Sequence, residues 1–256
     1  MKKMELFDFA YFSQFDVALS DLARMAMPEQ WYFSGEDETS YTILKDYLEH
    51  IFRRVKFEQK VEYSSDNRFS SFNTGLMTPS YRYICACFEK NRNLDARNPY
   101  YFKKFLSESD IGYFSRFNRV PQAPFFFSDP SLLIYNPALE IVIDIDHIVD
   151  DNINRFPDEI RSNKDLCRRL LEGAIPETKK RLQANYKIAV PHCYDNKVQL
   201  LLPIYLSAKA DTPNPDMALA VEKNRDKYYA ITCLTMRMAY QDARIIVRPE
   251  SSWLRP

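Results

Sequence analysis

The stretch Lys187–Leu206, KIAVPHCYDNKVQLLLPIYL, decides the fold class. It reads as two strands, Lys187–Tyr194 and Val198–Leu206, folded back on each other at Asp195-Asn196. Asp and Asn tolerate the left-handed backbone that a two-residue hairpin turn requires. The apolar run Val198–Leu202, interrupted only by Gln199, suits a central strand covered on both faces. A second hairpin follows, Met217–Lys223 and Tyr228–Cys233 around Asn224-Arg225-Asp226. Leu234–Ala243 then reads as a short helix, and Arg244–Val247 as a short strand ahead of Pro249 and Trp253. Leu200, Leu202, Leu219, Val221 and Ile231 are expected in the core.

Working back from the hairpins, Lys164–Asn185 reads as helix interrupted between Gly173, which can cap a first segment, and Pro176, which can open a second. Leu139–Ile145 is β-like and Asp146–Phe156 a short helix. Pro121–Tyr135, with three prolines and the triplet Phe125-Phe126-Phe127, reads as irregular chain over a core. Arg68–Asn73 and Tyr81–Lys90 are strands joined through Thr74–Pro79, and a short helix is expected near Tyr100–Leu106. The clearest helix is Ser40–Glu58. Leu44, Tyr47, Leu48, Ile51, Phe52 and Val55 recur at spacings of three and four and form one apolar stripe. Lys45, Glu49, Arg53 and Lys56 fall on the other face. Together these predict an α+β protein: a mostly antiparallel sheet built from the C-terminal hairpins, with helices packed against it. They are read as one domain over 1–256, with a helical part over about 1–62 and a sheet core over about 63–256.

Composition narrows the function. Of 256 residues, 46% are hydrophobic and 14% aromatic, which excludes a disordered chain. Thirty-five Lys and Arg balance 35 Asp and Glu, so bulk charge does not coat nucleic acid, although a local basic patch can still bind it. The five cysteines are odd in number and hold no CxxC pair, and the three histidines are far apart. Reduced core thiols in a cytoplasmic protein are expected, with no zinc site. No run approaches the roughly 18 apolar residues of a membrane span, and none is expected.

Four constellations can carry chemistry. Asn73-Thr74-Gly75, leaving a strand, can present successive backbone N–H groups to an anion, with two side-chain donors beside them; the same residues also suit an ordinary turn. Arg244 and Arg248 at the ends of a short strand would share a face, as two planar donor forks for phosphate or carboxylate, with Arg237 and Lys187 nearby; structural ion pairs are the competing reading. Asp144, Asp146, His147, Asp150 and Asp151 can hold Mg²⁺ or supply an acid/base group, or simply cap a helix and line its solvated face. Phe125-Phe126-Phe127 with Tyr135 can stack bases or fill a core.

A series of stretches also resembles the family described as domain of unknown function 3825. They are Phe72–Leu76, Asp146-His147-Ile148, Arg155-Phe156-Pro157, Asn185-Tyr186-Lys187, Ala189-Val190-Pro191, Gln199–Pro203 and Ala218–Glu222. Met238-Ala239-Tyr240, Ala243-Arg244, Arg248-Pro249, Trp253 and Leu254 complete it. Pro176 departs from the family pattern, which continues a helix there. The resemblance implies a bacterial or fungal protein associated with RNA or nucleotide biology, and a partner carrying a nuclease or RNA-binding module. The expectation is a binding module for a phosphate-bearing ligand, RNA or a nucleotide. Asn73, Thr74, Gly75, Lys187, Arg244 and Arg248 would line its site, without a cofactor. Whether it is an enzyme is left open. The alternatives are a Mg²⁺-dependent phosphoesterase or nuclease using Asp146 and His147, and a non-catalytic scaffold.

Overall fold

The computed structural model describes residues 5–93, 96–126, 128–206, 214–249 and 253–256. The chain is an α+β protein divided into two compact units, Met1–Phe125 and Phe126–Pro256, each with its own five-stranded sheet. The expected sheet core over 63–256 is thus distributed over two sheets.

The first unit comprises α1 (Glu5–Phe9), β1 (Ala10–Tyr11), α2 (Phe15–Met25), α3 (Thr42–Phe57), β2 (Glu62–Tyr63), β3 (Phe69–Met77), β4 (Tyr83–Lys90), β5 (Tyr100–Ser107) and α4 (Ile111–Phe114). Its sheet order is β1-β5-β4-β3-β2, antiparallel except for the β1–β5 pair. The apolar stripe of α3 is buried as its spacing predicts. Aromatic rings join the helix to the sheet: Phe52 lies 5.2 Å from Phe72, which stacks 5.7 Å from Phe88. Glu49 departs from the sequence reading. It is buried rather than solvated, because its carboxylate accepts the Glu5 and Leu6 amides at 2.7 and 3.1 Å and so caps the otherwise unpaired first turn of α1. The helix expected near Tyr100–Leu106 is instead strand β5, paired along its length with β4. Pairing to a partner strand overrides local propensity here.

The second unit comprises β6 (Glu140–Val142), α5 (Ile145–Asn152), α6 (Lys164–Ala184), β7 (Val190–Tyr194), β8 (Lys197–Ile204), β9 (Met217–Asn224), β10 (Lys227–Leu234) and α7 (Met236–Arg244). The order is β6-β10-β9-β8-β7, antiparallel except for β6–β10. Both hairpins form where predicted, with Asp195, Asn196 and Arg225 at φ of 48°, 62° and 55°. Leu200, Leu202, Leu219 and Val221 face α5 and α6 in one hydrophobic core. The opposite face packs against α7.

Three readings are corrected in this unit. Ile231 is 44% exposed, because the register of β10 against β9 slips between Ala230 and Thr232 and leaves Ile231 as the extra residue of a bulge. Helix α6 runs unbroken through Gly173 and Pro176. Pro176 and Glu172 are both exposed, so the carbonyl that Pro176 leaves without a donor faces water. Arg244–Val247 is not a strand: α7 continues to Arg244 and the chain then turns. Thr235 starts that helix by accepting the Met238 amide at 3.3 Å.

Candidate functional site

Asn73-Thr74-Gly75 lies inside β3, not beyond it. Thr74, Gly75 and Leu76 form a bulge opposite Ile84. Gly75 sits at φ 73°, where a Cβ would come 2.8 Å from the Tyr47 hydroxyl. Asn73 accepts the Gly75 amide at 2.9 Å and donates to the Pro121 carbonyl at 3.1 Å. Thr74 donates to the Ile84 carbonyl at 2.7 Å and accepts from the Leu76 amide at 3.3 Å. Both side chains are buried. Here the polar motif satisfies backbone groups that the bulge removes from the ladder.

The acidic group around α5 is an ion-pair network on the surface. Asp144 caps α5, accepting the His147 amide at 3.0 Å. Arg168 reaches Asp146 at 2.6 Å, Asp150 at 3.1 Å and Asp165 at 3.0 Å, and Lys164 reaches Asp150 at 2.9 Å. The hydrogen bond from Lys164 and the charge of Arg168 hold the Asp150 carboxyl below the ordinary range. His147 lies exposed, 3.5 Å from Asp151. Among the described residues, no three His, Cys, Asp or Glu side chains are grouped to hold a metal ion. Of the aromatic run, Phe125 is exposed, Phe126 is buried, and Phe127 lies outside the described residues. Tyr135 is buried and stacks 5.0 Å from Tyr228.

Of the remaining candidates, Lys187 and Arg244 are carried by elements beside β7, the edge strand of the second sheet: the turn that precedes it and helix α7, which packs on it. Lys187 is not at the start of a strand. It is exposed in the 3-10 turn Tyr186–Ile188, which Asn185 caps by accepting the Lys187 amide at 3.1 Å. Trp253 donates its indole N–H to the Ile188 carbonyl at 2.8 Å, which ties the end of the chain to that turn. Arg248 is exposed on the segment leading to Trp253, whereas Arg244 is buried in the last turn of α7, so the two do not share a strand face. Tyr186, in the same turn as Lys187, is 46% exposed.

Beneath α7 lies a row of polar residues that sequence reading passed over. His192 of β7 is opposite Gln199 of β8, and the Gln199 amide donates to Glu222 of β9 at 3.0 Å. His192 is 1% exposed, and neither ring nitrogen has a hydrogen-bond partner among the described residues. The carboxylate of Asp242 on α7 stands 3.9 Å away. Burial pushes the His192 pKa down to about 4; Gln199 acts in the opposite direction and does not offset it. The signal was present in the sequence as Gln199 and Glu222, polar ends of otherwise apolar strands, at positions that hairpin register makes neighbours. Arg155 serves another edge. It donates to the Cys233 carbonyl and the Thr232 hydroxyl, both at 2.8 Å, where β10 extends beyond its short pairing with β6.

Two mixed sheets, each backed by helices, with a buried polar row and a cationic turn at one edge, define an α+β protein whose polar residues divide between holding the fold and facing solvent. The model of the family described as domain of unknown function (DUF3825) matches residues 22–253, and the chain belongs to that family. No curated protein and no solved structure matches.

Proposed function

We propose that the protein is a binding module for a phosphate-bearing ligand, RNA or a nucleotide, and that it engages this ligand at the β7 edge of the second unit. The observation that carries the reading is the Trp253–Ile188 hydrogen bond at 2.8 Å. It joins Trp253, five residues beyond Arg248, to the turn bearing Lys187, and the proposed site uses both cations, which stand 61 residues apart in sequence. Two cations can neutralise phosphate oxygens, and the exposed Tyr186 ring beside Lys187 offers a stacking surface to a base. Arg244 would support the site from within the fold. Buried thiols that form no disulfide fit a reducing, cytoplasmic setting, and a partner chain carrying a nuclease or RNA-binding module is part of the same proposal.

Mass spectrometry of small molecules and RNA that co-purify with the protein identifies the ligand, and titration of it against salt separates the classes. A single strand touching several phosphates loses affinity with a slope of roughly −0.7 per phosphate, whereas a mononucleotide gives a shallow slope. The double variant Lys187→Ala/Arg248→Ala is expected to lose binding with an unchanged melting temperature, since both side chains are exposed. Parent-like binding by that variant, or no phosphate-bearing ligand at all, overturns the reading.

A further inference from the structure

The first sheet has a second face, turned away from α3. Three of its residues form a row by register: Phe69 on β3, Glu89 on β4 and Tyr101 on β5. Toward α4 this face is closed by Tyr113, Phe114 and Phe117, which pack on Cys85 and Cys87. Beside them it opens as a groove of about 340 Å³, lined by Phe69, Glu89, Lys103, Lys104, Tyr113 and Arg116 among others.

The electrostatics of this groove are one-sided. Glu89 is a single carboxylate facing Arg68 at 3.5 Å, Lys103 at 3.5 Å and Arg92 at 4.0 Å, and it also accepts the Tyr101 hydroxyl at 2.7 Å. That hydroxyl, with Lys103 nearby, holds the Glu89 carboxyl below its usual range, so it is charged and already surrounded. Asp110 caps α4 by accepting the Tyr113 amide at 2.9 Å. Lys104 and Arg116 have no carboxylate partner among the described residues. Three cations, Lys103, Lys104 and Arg116, thus line the groove with two carboxylates that are already engaged, and Arg68 and Arg92 add further positive charge beside Glu89. This local excess stands out against a chain of zero formal charge.

The cations are also held in place. The guanidinium of Arg116 lies 4.7 Å from the Phe69 ring centre and 5.2 Å from that of Tyr113; Arg68 lies 5.3 Å from Phe69, and the Lys103 ammonium 5.1 Å from Tyr101. A guanidinium seated over an aromatic ring keeps N–H groups free for phosphate and can offer its plane to a base. Lys103 is the extra residue of a bulge, where β5 slips against β4 beside Cys87 and Phe88, so two consecutive lysines, both exposed, stand along one stretch of strand.

We propose that this face of the first sheet binds single-stranded nucleic acid, with Lys103, Lys104 and Arg116 on the phosphates and bases stacked against the Arg116 plane and the Tyr101 ring. An acidic peptide would match the charge alone; planar cations layered on aromatic rings along an open sheet favour bases joined by phosphates. The site belongs wholly to the first unit and does not rest on the β7 edge.

Fluorescence anisotropy of the full chain with a labelled oligouridylate of about a dozen nucleotides tests this, since that length covers one site of the kind found on sheet platforms. The triple variant Lys103→Ala/Lys104→Ala/Arg116→Ala is expected to bind at least about tenfold more weakly, with a salt slope shallower by about 2, the share of three phosphates on a single strand. Lys45→Ala, on α3 across the sheet, is expected to bind like the parent. Arg116→Lys keeps the charge but not the plane, and should lose affinity while keeping the parent's salt slope. Should the triple variant melt early, Lys103→Ala/Lys104→Ala carries the test, because both residues are exposed. The inference is overturned by parent-like binding in these folded variants, which would place the contact elsewhere. Equal affinity for polyglutamate of matching charge, or no binding of the oligonucleotide, overturns it as well.

Discussion

His192 couples the stability of the second unit to pH, with a sign and size that follow from its burial. In an unfolded chain the ring titrates near its ordinary value of 6.5, and in the folded unit burial lowers this to about 4. The folded state thus binds fewer protons between these values. Stability is fully present above about pH 6.5 and falls as pH drops toward 4. Over the whole window the shift is worth about 3 kcal/mol, and between pH 7.5 and roughly pH 5 about 2 kcal/mol. Asp242, at 3.9 Å, is too far for the close hydrogen-bonded ion pair that would reverse the sign. The two tryptophans fall one in each unit, so a Trp31→Phe background leaves Trp253, buried beside β7, as the reporter of the second unit. Urea unfolding of this protein with and without His192→Leu gives the comparison. At pH 7.5 the variant should be close to neutral or more stable, since an unpaired buried polar ring is replaced by an apolar group of similar size. At roughly pH 5 it should exceed the parent by about 2 kcal/mol beyond any difference at pH 7.5. Carboxylates elsewhere titrate in both proteins and cancel. Parallel stability–pH curves for parent and variant would refute the reasoning.

Leu202→Ala should cost about 2–5 kcal/mol in urea unfolding, because Leu202 is fully buried in the core beneath α5 and α6; Ile231→Ala, at the exposed bulge, should cost less than about 1 kcal/mol. Gly75→Ala should destabilise the first unit by about 1–3 kcal/mol, measured by urea unfolding in a Trp253→Phe background with Trp31 as reporter, since it combines a left-handed backbone with a contact at 2.8 Å to Tyr47. All five cysteines are buried and outside any disulfide, and burial pushes the thiols of Cys87 and Cys233 up to about 12. Iodoacetamide should therefore leave the native protein unmodified by mass spectrometry and add five adducts after denaturation, and thermal melts with and without reductant should superimpose.

The elements legible in the sequence were those whose residues answer to their own neighbours. The stripe of α3 depends on a helical period, and the hairpins depend on turn residues that accept positive φ. What escaped was decided by a partner distant in sequence. Tyr100–Leu106 has the aromatic and lysine content of a surface helix and became a strand because β4 lay open to pair with it. Ile231 alternates correctly along β10, but one unpaired residue reverses the faces beyond Ala230. Glu49 fits a solvated helical face until α1 arrives with two amides lacking acceptors. His192 followed the same rule. Its strand was plain from the sequence, whereas its loss of solvent comes from α7, more than 40 residues further along the chain.

The same distinction sorts the polar residues by which the family is recognised. A polar group buried without a partner is costly, so a fold that bends a strand must supply bonds for the amides and carbonyls it frees. Asn73 and Thr74 do so at the β3 bulge, and Arg155 does so at the open part of β10. The bonds these side chains make in the structure all go to the fold itself. The proposed binding instead uses groups whose charge exceeds what the fold consumes. Lys104 and Arg116 in the first unit and Arg248 in the second are exposed cations at edges or faces that the packing leaves open. Such residues carry little stability, since exposed charges contribute about 0–1 kcal/mol each. Substituting them should therefore change binding and leave the melting temperature where it was, whereas substitution of Asn73 or Arg155 should do the opposite.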